Sequence, residues 1–272
     1  MTAALRTEIR KITTTRAWWV NGAVMFAYML VLAMIMAASF VLSIRSEGSA
    51  STGLPGGATL DPESVASSVY TLAVALGYIF PAVLGALVVT SEFRHRTITP
   101  TLLAEPRRSL VLTSKLLAVI PFAILVSIAG VLGTVVGGAG TLALMGEPTF
   151  LGDPDMVRTI GMSVVALVLW ALVGVGFGAV LTNQVAAIVV LLVFSQFVEP
   201  LLRILLAQFD ATETLSKFLP GAAGEAVAGS SLYVSSGLAD LLTAWQGVLV
   251  LLGYALVLLV IGRLTTFRRD IG

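Results

Sequence analysis

Residues 110–145 read LVLTSKLLAVIPFAILVSIAGVLGTVVGGAGTLALM. Beyond Lys115 this run carries no charged residue. A helix rises 1.5 Å per residue, so about 20 apolar residues cross the ~30 Å hydrocarbon layer of a bilayer. A membrane barrel strand would instead be ~10 residues of strict alternation, and this run has no such alternation. The stretch therefore predicts a transmembrane helix, with length to spare for tilt or a Gly-rich break. Five further runs of the same character lie at about 18–44, 65–90, 159–181, 185–208 and 241–264. Together they predict an all-α integral membrane protein, a single transmembrane domain over 1–272 with six spans.

Composition agrees. The 272 residues are 57% hydrophobic and only 11% charged, with a mean hydropathy of +0.99. Soluble domains carry roughly 25% charged residues. Disorder needs low hydrophobicity and high charge, which is the reverse of this chain. With no cysteine and one histidine, disulfides, thiolate sites and multi-His metal centres are excluded, and no metal site is expected.

The charges set an orientation. Arg6, Arg10, Lys11 and Arg16 precede the first span; Arg94, Arg96, Arg107, Arg108 and Lys115 follow the second; Arg263, Arg268 and Arg269 close the chain. With six spans, these twelve of the sixteen basic residues fall on one side. Only Arg45, Arg158 and Lys217 fall on the other, while Arg203 lies within the fifth span. Ten acids, from Glu47 to Asp240, sit opposite the basic side. The positive-inside rule then places both termini in the cytoplasm, with the chain in the cell's inner (cytoplasmic) membrane. In residues 1–17, Leu5, Ile9 and Ile12 share a helical face among bases. They predict an amphipathic helix on the inner leaflet, with Trp18 and Trp19 at interfacial depth. The segment 209–240 is expected on the outer side, holding short helices on or in the interface.

The most unusual polar stretch is SEFRHRTITPTLLAEPRRSLVLTSK, residues 91–115. Ile98, Leu102 and Leu103 form a small apolar patch framed by Arg94, Arg96, Arg107 and Arg108 and closed by Pro106. Two readings stand level: a solvated basic loop, or a docking helix for a soluble partner. Within the fifth span, Glu199 and Arg203 are spaced i, i+4 in the favourable order. Charges at membrane depth are a functional hypothesis by default, so this pair, with Gln196 a turn before, is either structural or part of a path or gate. Gly174, Gly176 and Gly178, and Gly130, Gly133 and Gly137, read as sites of close helix packing.

The order Glu92, Thr97, Leu102-Leu103, Pro106, Arg107 or Arg108, Lys115 resembles the cytoplasmic loop of permease subunits of type-2 ATP-binding-cassette exporters. Glu8, Lys11 and Arg16-Ala17-Trp18-Trp19, the 174–178 glycines and Leu219-Pro220 are similar to that family as well. The chain departs from the pattern at Arg96, where glycine is usual, and this puts the local backbone in question. The resemblance implies that 91–109 contains a coupling helix. Glu92, Arg94, Arg96, Thr97, Leu102, Leu103, Arg107 and Arg108 would transmit the work of a separate ATPase subunit. No G-x-x-x-x-G-K-[ST] loop occurs here, so ATP and Mg are expected on that partner and no cofactor on this chain. The further partners implied are a second permease, identical or related, and the bilayer, with no nucleic acid. The expected function is outward movement of an amphipathic or lipid-like substrate, not catalysis. A secondary transporter is the alternative. A membrane enzyme is weak for want of a paired acid or a histidine at depth.

Overall fold

The computed structural model describes residues 2–46, 62–207, 214–231 and 241–267. The expected 45–64 loop lies mostly outside these residues, as do parts of 209–240 and the last two arginines.

The described chain is helical. In order the helices are α1 (Thr2–Thr14), α2 (Ala17–Ser46), α3 (Pro62–Tyr70), α4 (Leu72–Ala75), α5 (Ile79–Arg94), α6 (Ile98–Ala104), α7 (Arg108–Leu144), α8 (Pro154–Val180) and α9 (Gln184–Val193). After α9 come a π-helical turn (Phe194–Val198), α10 (Glu199–Ala207), α11 (Pro220–Ala228) and α12 (Ala244–Thr265). Five continuous helical stretches are long and apolar enough to cross a membrane: Ala17–Arg45, Arg108–Leu144, Pro154–Val180, Gln184–Leu206 and Ala244–Thr265.

The sequence led us to expect an uninterrupted helix at 65–90, and the structure corrects this. The segment breaks at Thr71 and again at residues 76–78. At the first break Val74 N–H turns to Thr71 O, freeing Tyr70 O. Thr134 Oγ1 of α7 donates to that carbonyl at 3.1 Å. At the second, Pro81 has no N–H to give to Gly77 O, which accepts from the backbone N–H of Phe80 instead; just beyond it, Phe80 O accepts from Asn21 Nδ2 of α2 at 2.8 Å. Tyr70 O thus finds a side chain and Gly77 O a backbone donor, as irregular backbone at membrane depth requires. Gly77 is tightly enclosed: a Cβ there would meet Ala73 O at 2.7 Å.

The broken segment still runs from one end of the bundle to the other. At its start Tyr70 donates to Thr149 O and Ser67 to Ser230 Oγ. At its finish Arg94 donates to Gln184. Arg45 caps Met145 O and pairs with Glu147 at the first end. Arg108 donates to Phe267 O at the second, where Phe93 and Phe267 also meet edge to face. The two ends differ in charge: Arg94, Arg96, Arg107, Arg108 and Arg263 mark a basic end, and Glu63, Glu147, Asp153 and Asp155 an acidic one.

Close packing depends on small residues. A Cβ on Gly174 would lie 2.0 Å from Ala82 O, one on Gly178 2.6 Å from Ala86 O, and one on Gly85 2.0 Å from Ala171 O. α5 and α8 therefore touch backbone to backbone. Gly176 faces α12, where a Cβ would meet Leu258 Cβ at 2.7 Å. On α7, Gly133 and Gly137 lie against Phe26 O and Leu30 O of α2. By contrast, Val185, Val189, Val193, Phe197, Leu201 and Leu205 along α9–α10 are exposed. That helix lies at the edge of the bundle.

Candidate functional site

Among the described residues, two buried ionic clusters hold most of the internal charge, one at the basic end and one inside the bundle beside Tyr78 and Trp170. The first joins four residues from three helices. Glu8 and Lys11 come from the polar face of α1, Glu92 from the last turn of α5 and Lys115 from the second turn of α7. Lys115 is wholly buried and its Nζ contacts Glu8 Oε2 at 2.8 Å and Glu92 Oε1 at 2.7 Å. It also donates to Val88 O. Lys11 Nζ contacts Glu8 Oε1 and Glu92 Oε1, both at 2.6 Å, and donates to Thr101 Oγ1 of α6 at 3.2 Å. Partial burial pulls the Lys11 ammonium down, but its bonds to Glu8 and Glu92 outweigh this and hold it above the ordinary lysine value. Two acids and two bases leave the cluster formally neutral, the condition under which buried charge is tolerable.

α6 rests on this cluster. Thr97 opens it, its N–H bonded to Glu92 O and its carbonyl accepting from Thr101 Oγ1. Ile98 is buried and Leu102 half-buried, whereas Leu103 is 79% exposed. Arg94, Arg96 and Arg107 are also exposed. Arg107 clasps Glu105 through its side chain and backbone N–H, holding that carboxyl down at about 2. Arg96 takes φ 56°, the left-handed region that favours glycine. The departure seen at this position in the sequence is thus a strained residue in the turn between α5 and α6.

The second cluster enlarges the expected Glu199–Arg203 pair to a triad. Arg203 Nη2 lies 2.9 Å from Glu199 Oε1, and Arg203 Nη1 lies 2.9 Å from Glu225 Oε2. Glu225 belongs to α11, every residue of which is buried. α11 packs on α8, α12 and α4. Its small residues, PGAAGEAVA, allow this: Gly224 lies against Trp170, and Gly221 against the Glu199 carboxyl itself. The N–H groups of Gly221 and Ala222 donate to Glu199 Oε1 at 2.6 and 3.2 Å, as expected of a carboxylate at a helix N-terminus. Ser231 Oγ donates to Glu225 Oε2. The sequence singled out Glu199, Arg203 and Gln196 but not Glu225, whose signal was an acid inside a run of Gly and Ala.

Beside the triad is a cavity of about 120 Å³, lined by Tyr78, Gln196, Glu199, Arg203, Glu225 and apolar neighbours. Tyr78 stacks on Trp170 with ring centroids 4.2 Å apart. Its hydroxyl donates to Ser195 O, a carbonyl of the π-helical turn, the kind of local distortion frequent at functional sites. Among the described residues no group of three His, Cys, Asp or Glu side chains is arranged to hold a metal ion.

No known protein family matches the chain, and no curated protein does either. The fold and its two clusters define an all-α protein suited to a bilayer, with one ionic centre at the basic end and one within the bundle.

Proposed function

We propose that this chain is the membrane permease subunit of an ATP-driven exporter of the type-2 ATP-binding-cassette class. It works with a second permease and with a separate ATPase that binds ATP and Mg. The broken 62–94 segment counts as the sixth crossing. The basic end and both termini face the cytoplasm, and an amphipathic or lipid-like substrate moves outward through the pair.

The observation that carries this reading is the α1–α5–α7 cluster beneath α6. A push on α6 is passed through Thr101 to Lys11, and from there to Glu92 and Lys115, hence to the feet of two membrane helices. Leu103, 79% exposed, gives the ATPase an apolar contact on a helix already seated at Ile98. The test is co-expression with the candidate ATPase. The complex is expected to survive detergent, and Leu102→Asp with Leu103→Asp to abolish it. An intact complex carrying both substitutions would end the coupling-helix assignment.

One observation favours a second reading, a secondary transporter: the break at 76–78 borders the cavity beside the triad, and broken helices at binding sites mark that class. Liposomes containing the chain alone distinguish the two. Substrate movement driven by an ion gradient without ATPase would select the secondary transporter.

A further inference from the structure

The two clusters are unequal in one respect. The neutral basic-end cluster uses two lysines against two glutamates. The triad has two glutamates against one arginine, a formal charge of −1. None of the other residues lining its cavity is basic. Residues 208–213 and 232–240, the nearest segments outside the described structure in sequence, contain no Lys or Arg.

The distribution of bonds on Glu199 sharpens the imbalance. Oε1 accepts from Arg203 Nε and Nη2, from Gly221 N and from Ala222 N. Oε2 accepts nothing, although it is buried and Glu199 is only 1% exposed. A bare buried carboxylate oxygen loses its water without replacement. This oxygen belongs to a cavity-lining residue. Gln196 lines the same cavity; its amide nitrogen donates to Ser195 Oγ at 3.4 Å, and its amide oxygen is the group able to accept from a cation. Ala75, Leu76 and Pro200 supply apolar wall, and Tyr78 an aromatic one.

We propose that this cavity binds the ammonium group of an amphipathic amine, with the Glu199 carboxylate as its counter-ion. The charge, the missing hydrogen bond and the size of the cavity point the same way. A cavity of about 120 Å³ has room for a few water volumes of ~30 Å³ each. That fits a charged headgroup but not a whole drug-sized molecule, so the tail must extend along apolar helix surface. As a site for exported cargo it rests on the function proposed above; as a binding site it does not, because it needs neither ATPase nor nucleotide.

The experiment uses the full-length chain in nanodiscs of phosphatidylcholine at pH 7, with dodecylamine as ligand and dodecanol as its uncharged counterpart. Binding is read by calorimetry and by the shift in unfolding temperature. Dodecylamine is expected to bind saturably and dodecanol not. Glu199→Gln is expected to weaken the amine by roughly 10- to 100-fold, the usual worth of a charge-assisted hydrogen bond. Because Glu199 also holds Arg203 and the start of α11, Gln196→Leu serves as a second variant that leaves the triad intact, and it is expected to weaken the amine as well. Equal binding of amine and alcohol, or unchanged amine binding in both variants, would overturn the proposal. Amine binding without any ATPase-dependent export would leave this site standing and remove the exporter reading instead.

Discussion

Lys115 Nζ stands between Glu8 and Glu92, 2.8 and 2.7 Å from their carboxylates, with none of its side chain exposed. These residues are far apart in sequence, so one ammonium fixes the amphipathic N-terminal helix to the membrane bundle. Lys115→Met leaves two buried carboxylates facing the partly exposed Lys11 alone. Breaking a buried ion pair from one side costs about 3–5 kcal/mol, and unfolding in mixed micelles is expected to register a loss of that order. Adding Glu8→Gln removes one of the stranded charges and is expected to recover part of it. A purely additive double variant would show that the two residues do not interact.

The alkaline side of the same cluster has a definite sign. Lys11 faces Glu8 and Glu92 as partners, with Lys115 the other base and Thr101 a neutral acceptor. Its folded value is raised above the ordinary 10.5. The stabilisation it contributes is therefore fully present below 10.5 and is lost as pH rises through the higher folded value. The difference in unfolding temperature between wild type and Lys11→Gln is expected to stay constant from pH 7 to about pH 10 and to shrink only above that. A difference that already shrinks between pH 7 and 9 would contradict the assigned contacts.

Packing of α5 on α8 gives a third expectation. Gly174→Ala puts a methyl group 2.0 Å from Ala82 O, where only backbone movement can relieve it. Overpacking of this kind costs about 1–3 kcal/mol. Gly253→Ala, on α12, meets nothing within 4 Å and is expected to remain within about 0.5 kcal/mol of wild type. Thermal unfolding of the two variants side by side separates a local clash from a general effect of removing glycine.

How much of this was legible in the sequence follows the range of each interaction. Apolar runs such as 110–145 fixed helices, because hydropathy is a local property and the bilayer makes it decisive. The breaks at Thr71 and 76–78 escaped that reading, since the side chains that accommodate them, Thr134 on the freed Tyr70 O and Asn21 on Phe80 O, come from elsewhere in the chain. Arg96 was visible as an oddity, and its positive φ is the structural counterpart. Glu199 and Arg203 were legible because i, i+4 spacing is local. Glu225, brought in by α11, was not, nor was the convergence of Glu8, Lys11, Glu92 and Lys115, which depends on tertiary folding. Their positions were noted singly, but no spacing rule connects α1 to α7.

The backbone contacts of α5 and α8 have a mechanical consequence. Where Gly85, Gly174 and Gly178 bring the main chains of α5 and α8 together, relative movement of the two helices requires displacement of backbone, not only of side-chain tips. Glu92 sits in the last turn of α5, and Glu225 in α11, which packs on α8 and α12. Both ionic centres are thus anchored to the same closely joined pair of helices.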